Sequence, residues 1–340
     1  MKIGIPRALL YYYYFPLWNR FFKELGCEVV VSPITNKKIV NQGSKVSVPE
    51  ICVPIKIFNG HVLELNEMGV DYIFAPRMIT IEKGKTFCPK FLGLTDMLRY
   101  TFPEFQHKFI VPCIKGKTDW DMSVKLLLED PFLSQYSALQ LKRAWKQGVL
   151  EWQKFRAINR LGYTLEESLS LYDKDGMPQA KERNEDVSIA IIGYVYDMYD
   201  QFVSMEAVKK LAAMGVNVYT FEMLEQEYID KYIKPMKKSV FWTFSNKMFG
   251  AGMHYYEDPK IDGLIYLTAF GCGPDSLIGK ILELDSDNYG KPFLTMRVDE
   301  HSGENHLQTR IEAFVDMLKR KKHYSQNNIV ELKKNSLTKE

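Results

Sequence analysis

Three cysteines of this 340-residue chain share one context: Cys52-Val53-Pro54-Ile55-Lys56, Cys88-Pro89-Lys90-Phe91-Leu92 and Cys272-Gly273-Pro274-Asp275-Ser276. Each is followed within two residues by proline and then by a run that reads as the start of a helix. Proline suits the first helical turn because the N–H it lacks would have no partner there. The sulfurs are therefore expected at or just before helix N-termini, where free N–H groups and the helix dipole favour a thiolate. Three such thiols suggest a shared anionic centre, with an iron–sulfur cluster as the first candidate. Their wide spacing fits neither the close pairs of a zinc ribbon nor a ferredoxin run. Only folding could bring them together, and spacing alone leaves three separate buried thiols as an equal reading. The helix-start context favours the shared centre.

Cys27 and Cys113 lack that context. Cys27 opens a strand after Gly26 and Cys113 ends one after Pro112, so both read as small core residues. His301 and Glu304 follow the end of a strand and are candidate proton donors at a cleft. The competing role has Ser302 or Asp299 capping the last helix and Glu304 adding favourable first-turn charge. His61, inside the helix after Cys52, reads as a packed or surface histidine. The run Tyr11 to Tyr14 is too long for one helix face, which leaves both cleft and core open to it.

The elements that would position these groups alternate strand with helix. Lys2 to Ile5 is a short apolar strand, Pro16 to Leu25 a helix closing at Gly26, and Val29 to Val31 the next strand. That is a βαβ unit, normally parallel. Asp71 to Ala75 and Phe109 to Val111 add strands, with helices after Cys52 and Cys88. Trp120 to Leu171 carries helical spacing without a strand signal. Beyond turn residues at Asp173 to Pro178, strands recur at Val187 to Gly193, Val216 to Tyr219, Ile261 to Thr268 and Pro292 to Val298. A helix over Ser204 to Met214 and a closing helix over Gly303 to Leu318 complete the second unit. The expected fold is α/β: two open parallel-sheet, flavodoxin- or Rossmann-like domains joined by a helical connector. The boundaries read 1–118, 119–180 for the connector, 181–320, and a basic polar tail over 321–340. Ligands of such sheets gather outside the carboxyl ends of the strands, so the cluster site is expected in the interdomain cleft.

Hydrophobic residues make up 46% of the chain and charged residues 26%, as in an ordinary globular protein. A net charge of +3 is too small to argue for nucleic acid or an anionic membrane. No apolar run reaches the ~18 residues of a membrane span. The N-terminus reads as strand and turn and not as a signal peptide. Five cysteines, an odd number, favour thiols or metal ligands over disulfides. A cytoplasmic protein is expected. Neither Gly4 nor Gly193 belongs to a GxGxxG string, which disfavours a dinucleotide.

The strings Ile3-Gly4-Ile5-Pro6-Arg7-Ala8-Leu9, Phe87-Cys88-Pro89-Lys90-Phe91-Leu92-Gly93, Phe270-Gly271-Cys272-Gly273-Pro274-Asp275-Ser276 and Asp299-Glu300-His301-Ser302-Gly303-Glu304 resemble the 2-hydroxyacyl-CoA dehydratase and benzoyl-CoA reductase superfamily. The likeness runs to about Leu318 and is nearest its activase-related branch. It implies a 4Fe–4S cluster on three thiolates, carried onto Cys52, Cys88 and Cys272, with one iron left for water, sulfide or a substrate oxygen. It also implies an ATP-dependent activase that donates an electron, an acyl-CoA substrate, and ketyl-radical chemistry that breaks a C–O bond. The dehydratases pair two related subunits, so a homodimer or a related second subunit is a further expectation. Double-cubane relatives need more cysteines than five, which favours a single cubane. A non-catalytic electron-transfer or cluster-carrier protein is the alternative, and a binding protein with zinc or no metal the third reading.

Overall fold

Lys2–Ile5 (β1) is short and apolar, with three of its four residues buried. In a computed structural model that describes residues 1–121, 123–184, 186–237, 240–299 and 304–337, it is an inner strand of a parallel sheet. Glu28–Val31 (β2) lies on one side of it, and Tyr72–Phe74 (β3) and then Phe109–Ile110 (β5) on the other. Ser188–Ile192 (β7), Asn217–Thr220 (β8), Gly263–Ala269 (β9) and Phe293–Val298 (β10) form a second parallel sheet. Its order is β10-β9-β7-β8. Numbered within its own half, each sheet reads 2-1-3-4, so one architecture occurs twice. All residues of β7 and β9 are buried, as expected of parallel strands covered on both faces. The fold is thus α/β, with two open parallel sheets.

A smaller parallel pair was not expected. Arg77–Thr80 (β4) continues beyond β3 after Pro76, and Cys113–Lys115 (β6) beyond β5 after Pro112. Each proline interrupts the ladder, because it has no N–H to give. Cys113 therefore opens a strand instead of ending one.

The first helix, Tyr11–Glu24, starts five residues earlier than its spacing suggests. All four tyrosines are buried because three neighbours surround the helix. Trp18 packs 4.5 Å from Phe74 of the sheet. The Trp152 indole N–H donates to the Tyr13 carbonyl at 2.8 Å. Tyr13 meets Phe244 of the second half at 5.4 Å. Trp152 belongs to Ala138–Arg160, a helix opened by a capping box between Ser137 and Gln140. The helical stretch between the sheets is therefore also a packing layer of the first half.

The helix expected over Ser204 to Met214 is broken. Gln201–Ser204 and Ala207–Ala213 are separated by Met205 and Glu206, both in the left-handed region at φ 49° and 58°. The last helix runs Glu304–Leu337, well past Leu318. No described helix is long and apolar enough to cross a membrane.

Candidate functional site

Each of the three cysteines sits at a helix N-cap. Cys52 precedes Val53–Glu67, Cys88 precedes Pro89–Leu92, and Cys272 precedes Gly273–Tyr289, each with proline in the first turn. Gly271, at φ 79°, makes the turn from β9 into Cys272; a side chain would meet nothing there, so backbone conformation alone selects glycine. The Cys52 helix is held in place differently. Gly60 on it and Gly43 on Lys37–Val46 face one another so closely that a methyl at either would overlap a backbone carbonyl of the other helix.

The three sulfurs line one pocket of about 200 Å³. Cys52, Cys88 and Leu9 come from the first half; Cys272, Tyr196 and Asp197 come from the second. Leu9 follows β1, whereas Tyr196 and Asp197 follow β7 and Cys272 follows β9. In the second sheet these are the carboxyl ends flanking the point where strand order reverses, the place such sheets use for ligands. Leu9 holds a left-handed conformation at φ 52°, costly for a non-glycine residue.

Electrostatics reverse one sequence expectation. Burial pushes the Cys52 thiol up to about 11, helped by Asp197, while the Ile55 N–H pulls the other way. Cys88 is raised by burial against the N–H groups of Phe91 and Lys90 and the Lys90 charge. Cys272 is raised furthest, by burial and then by Asp275 and Asp197, against the Asp275 N–H. None of the sulfurs completes a capping hydrogen bond. Desolvation and neighbouring carboxylates outweigh the helix ends, so the protein surroundings by themselves favour neutral thiols. Among the described residues no three His, Cys, Asp or Glu side chains are grouped to hold a single metal ion.

Two buried acids stand beside the sulfurs. Asp275 accepts from the Tyr266 hydroxyl and is pushed up to about 6 by burial. Asp197 is fully buried, and neither of its carboxyl oxygens has a hydrogen-bond partner among the described residues. Sequence reasoning missed Asp197, since a lone aspartate in Tyr194-Val195-Tyr196-Asp197 carries no spacing signal. It also missed a polar bridge between the halves. Asp200 accepts from Thr35 Oγ1 at 2.5 Å and from the Tyr12 hydroxyl at 3.3 Å, and it caps Phe202 and Val203. Thr35 Oγ1 also meets Nε2 of His61 at 2.9 Å. His61 is thus a packed residue, its ring pushed down to about 3 by burial and by the Arg7 charge.

The other candidates lie apart. Cys27 is buried with its sulfur 3.6 Å from the Tyr136 hydroxyl, and Cys113 is half-buried. His301 lies outside the described residues, and Glu304 opens the last helix. A larger hollow of about 600 Å³ borders Glu166, Glu167, Lys181 and Lys209. Its charges already pair, Lys181 with Glu167 at 2.6 Å and Lys209 with Glu166 at 2.9 Å. No cysteine or histidine is among the described residues that line it, so the smaller cysteine pocket is the candidate site.

Residues 2–224 match the family described as CoA enzyme activase uncharacterised domain (DUF2229). Residues 160–318 match that described as 2-hydroxyglutaryl-CoA dehydratase, D-component. No curated protein matches the chain. The first match takes in Cys52, Cys88 and Asp197, and the second takes in Asp197 and Cys272. The chain therefore belongs to the CoA enzyme activase uncharacterised domain family, within the 2-hydroxyacyl-CoA dehydratase and benzoyl-CoA reductase superfamily.

Proposed function

We propose that this dehydratase-like component carries an iron–sulfur cluster on Cys52, Cys88 and Cys272 and acts on an acyl thioester, paired with an ATP-dependent activase. The observation that carries the reading is the meeting of three N-capping thiols, from both halves of the chain, around one pocket. Soft thiol donors suit iron–sulfur centres. Donors too dispersed for a single ion are compatible with a polynuclear group whose irons sit at separate corners.

When bound, a cluster on three thiolates would supply one Lewis-acidic position and a one-electron store. The chain's own residues set the conditions for loading. All three thiols must lose their protons, and burial holds them neutral, so uptake should rise with pH. Leu9, Ile55, Phe91 and Tyr196 give the pocket apolar walls, whose low local dielectric strengthens electrostatic interactions inside it. Exposed Lys90 at the rim is the one basic side chain among the described residues that line it, available to a carbonyl or phosphate oxygen.

The pocket volume favours a second reading. About 200 Å³ lies below the ~300–1,000 Å³ usual for ligand sites, which suits a cluster serving electron transfer or cluster delivery. Acyl-CoA added to anaerobically reconstituted protein separates the two. A change in its visible or EPR spectrum is expected of a substrate-binding component. A spectrum indifferent to acyl-CoA, with electrons still accepted from a reduced activase, would leave the carrier. His301 and Glu304 remain candidates for proton donation under the first reading only.

A further inference from the structure

We infer that the substrate's acyl tail is short and apolar, and that it passes between Leu9 and Phe91 into a second hollow behind the cysteine pocket. The inference rests on the acyl-thioester reading above and names the substrate class of that same site. The cysteine pocket has a wet side and a dry side. Lys90, Gly271 and Gly273 on its lining are exposed, whereas Leu9 and Phe91 are only 4% and 5% exposed. The charged nucleotide end of a CoA thioester belongs on the wet side, because charge buried without partners is costly. The acyl end then faces Leu9 and Phe91. These two residues also line a separate hollow of about 40 Å³, and among the described residues they alone are shared by the two linings. Ile5, Trp18, Phe58, Phe74, Met78 and Leu94 form much of its wall, and none of the described residues around it is charged.

Two costs meet at the dividing wall. Close-packed interiors leave few voids, and an unfilled apolar one forfeits the contacts its lining atoms would make. Leu9 is held left-handed at φ 52°, which a leucine adopts only where its surroundings impose it. Glycine would take that backbone freely, so leucine there supplies a side chain that the wall uses. An apolar hollow of this kind stays dry and accepts an apolar guest. At roughly 10–15 Å³ for each water-sized group, the 40 Å³ hollow has room for about three carbons. With the carbonyl carbon and its neighbour left among the thiols, the preferred acyl chain has about five carbons. A tail ending in a carboxylate, as glutaryl does, would bury its charge against uncharged walls and should be rejected.

The test uses the full chain, loaded anaerobically with iron and sulfide, in titration calorimetry with acetyl-, pentanoyl-, octanoyl- and glutaryl-CoA. Wild type should bind pentanoyl-CoA most tightly, gaining about fourfold per carbon over acetyl-CoA. Octanoyl-CoA and glutaryl-CoA should each bind at least about tenfold more weakly than pentanoyl-CoA. Leu94 lines the hollow but not the cysteine pocket. Leu94→Phe should therefore take up as much iron as wild type and lose most of the preference for pentanoyl- over acetyl-CoA. Wild-type affinities that are flat across the series, or tightest for octanoyl- or glutaryl-CoA, would overturn the inference while leaving the acyl-thioester reading in place. An unchanged preference in iron-loaded Leu94→Phe would overturn it too, by placing the tail elsewhere. Loaded wild type that binds none of the four would bring down the acyl-thioester reading itself, and this inference with it.

Discussion

Glu222 shows what single buried groups do to this protein away from the pocket. It is fully buried in the turn after β8, and burial pushes its carboxyl up to about 7. The Thr220 and Tyr199 hydroxyls and the Arg156 guanidinium oppose that shift, but neither carboxyl oxygen has a close partner among the described residues. Arg156 itself donates to the Glu222 backbone carbonyl at 2.6 Å and to Asn159. The folded-state pKa thus exceeds the ordinary value of 4.5. The folded chain holds the proton more tightly than the unfolded one, so this stabilising contribution is present below 4.5 and lost as pH rises through about 7. Metal-free Glu222→Gln should therefore show a flatter loss of stability between pH 5 and 8, a window of roughly those two values. At pH 8 it should exceed wild type by up to about 3 kcal/mol in urea unfolding. An unchanged pH profile would mean the charge is relieved elsewhere. Such groups left little trace in the sequence. The three cysteines were legible because proline follows each, and that mark of a helix start is local. Asp197, Asp200 and Thr35 matter only through what folding brings beside them.

At the scale of elements, the crossing of Lys37–Val46 and Val53–Glu67 fixes where Cys52 points. Gly43 meets the Lys56 carbonyl and Gly60 meets the Ile39 carbonyl, so each backbone fills the space of the other's missing side chain. Gly60→Ala should force the helices apart. It should destabilise the protein by about 1–3 kcal/mol, as overpacking does, and lower iron retention by displacing Cys52. Lys146→Ala, on the exposed side of the Ala138–Arg160 helix, is the comparison that should leave both stability and iron unchanged. Full iron retention in Gly60→Ala would show that the helix crossing does not set the position of Cys52. The main strands of both sheets were readable because buried parallel strands are short apolar runs between turn signals. β4 and β6 were not, because each follows a proline that reads as the end of the apolar run before it. The early start of the first helix was hidden by four consecutive tyrosines, which fit no single face. They make sense only once the sheet, the Ala138–Arg160 helix and the second half enclose that helix.

At the scale of the whole molecule, buried polar bridges hold the halves at one setting. Lys247, on Thr243–Glu257, reaches Asp119 of the first half with both oxygens within 3.0 and 2.8 Å. The Tyr13 hydroxyl donates to the same carboxylate at 3.0 Å. Removing one partner of a buried pair strands the other charge, which typically costs about 3–5 kcal/mol. Lys247→Met should fall in that range, whereas Lys247→Met with Asp119→Leu should recover much of the loss. A loss in the double variant equal to the sum of the Lys247→Met and Asp119→Leu losses would show the pair to be uncoupled. These bridges, with Asp200 to Thr35 and Tyr12, lie outside the cysteine pocket and align its two walls. The doubled 2-1-3-4 topology was foreshadowed by the order of elements in each half. The bridges were not, since they join residues more than a hundred positions apart.

Under the proposed function, Cys52, Cys88 and Cys272 hold one iron–sulfur cluster. Iron and acid-labile sulfide, measured per chain on anaerobically prepared wild type and single cysteine-to-alanine variants, tests it most directly. About equal iron and sulfide are expected in wild type, in Cys27→Ala and in Cys113→Ala, with loss in Cys52→Ala, Cys88→Ala and Cys272→Ala. Iron-free wild type, or full iron and sulfide in any of those last three, would contradict it.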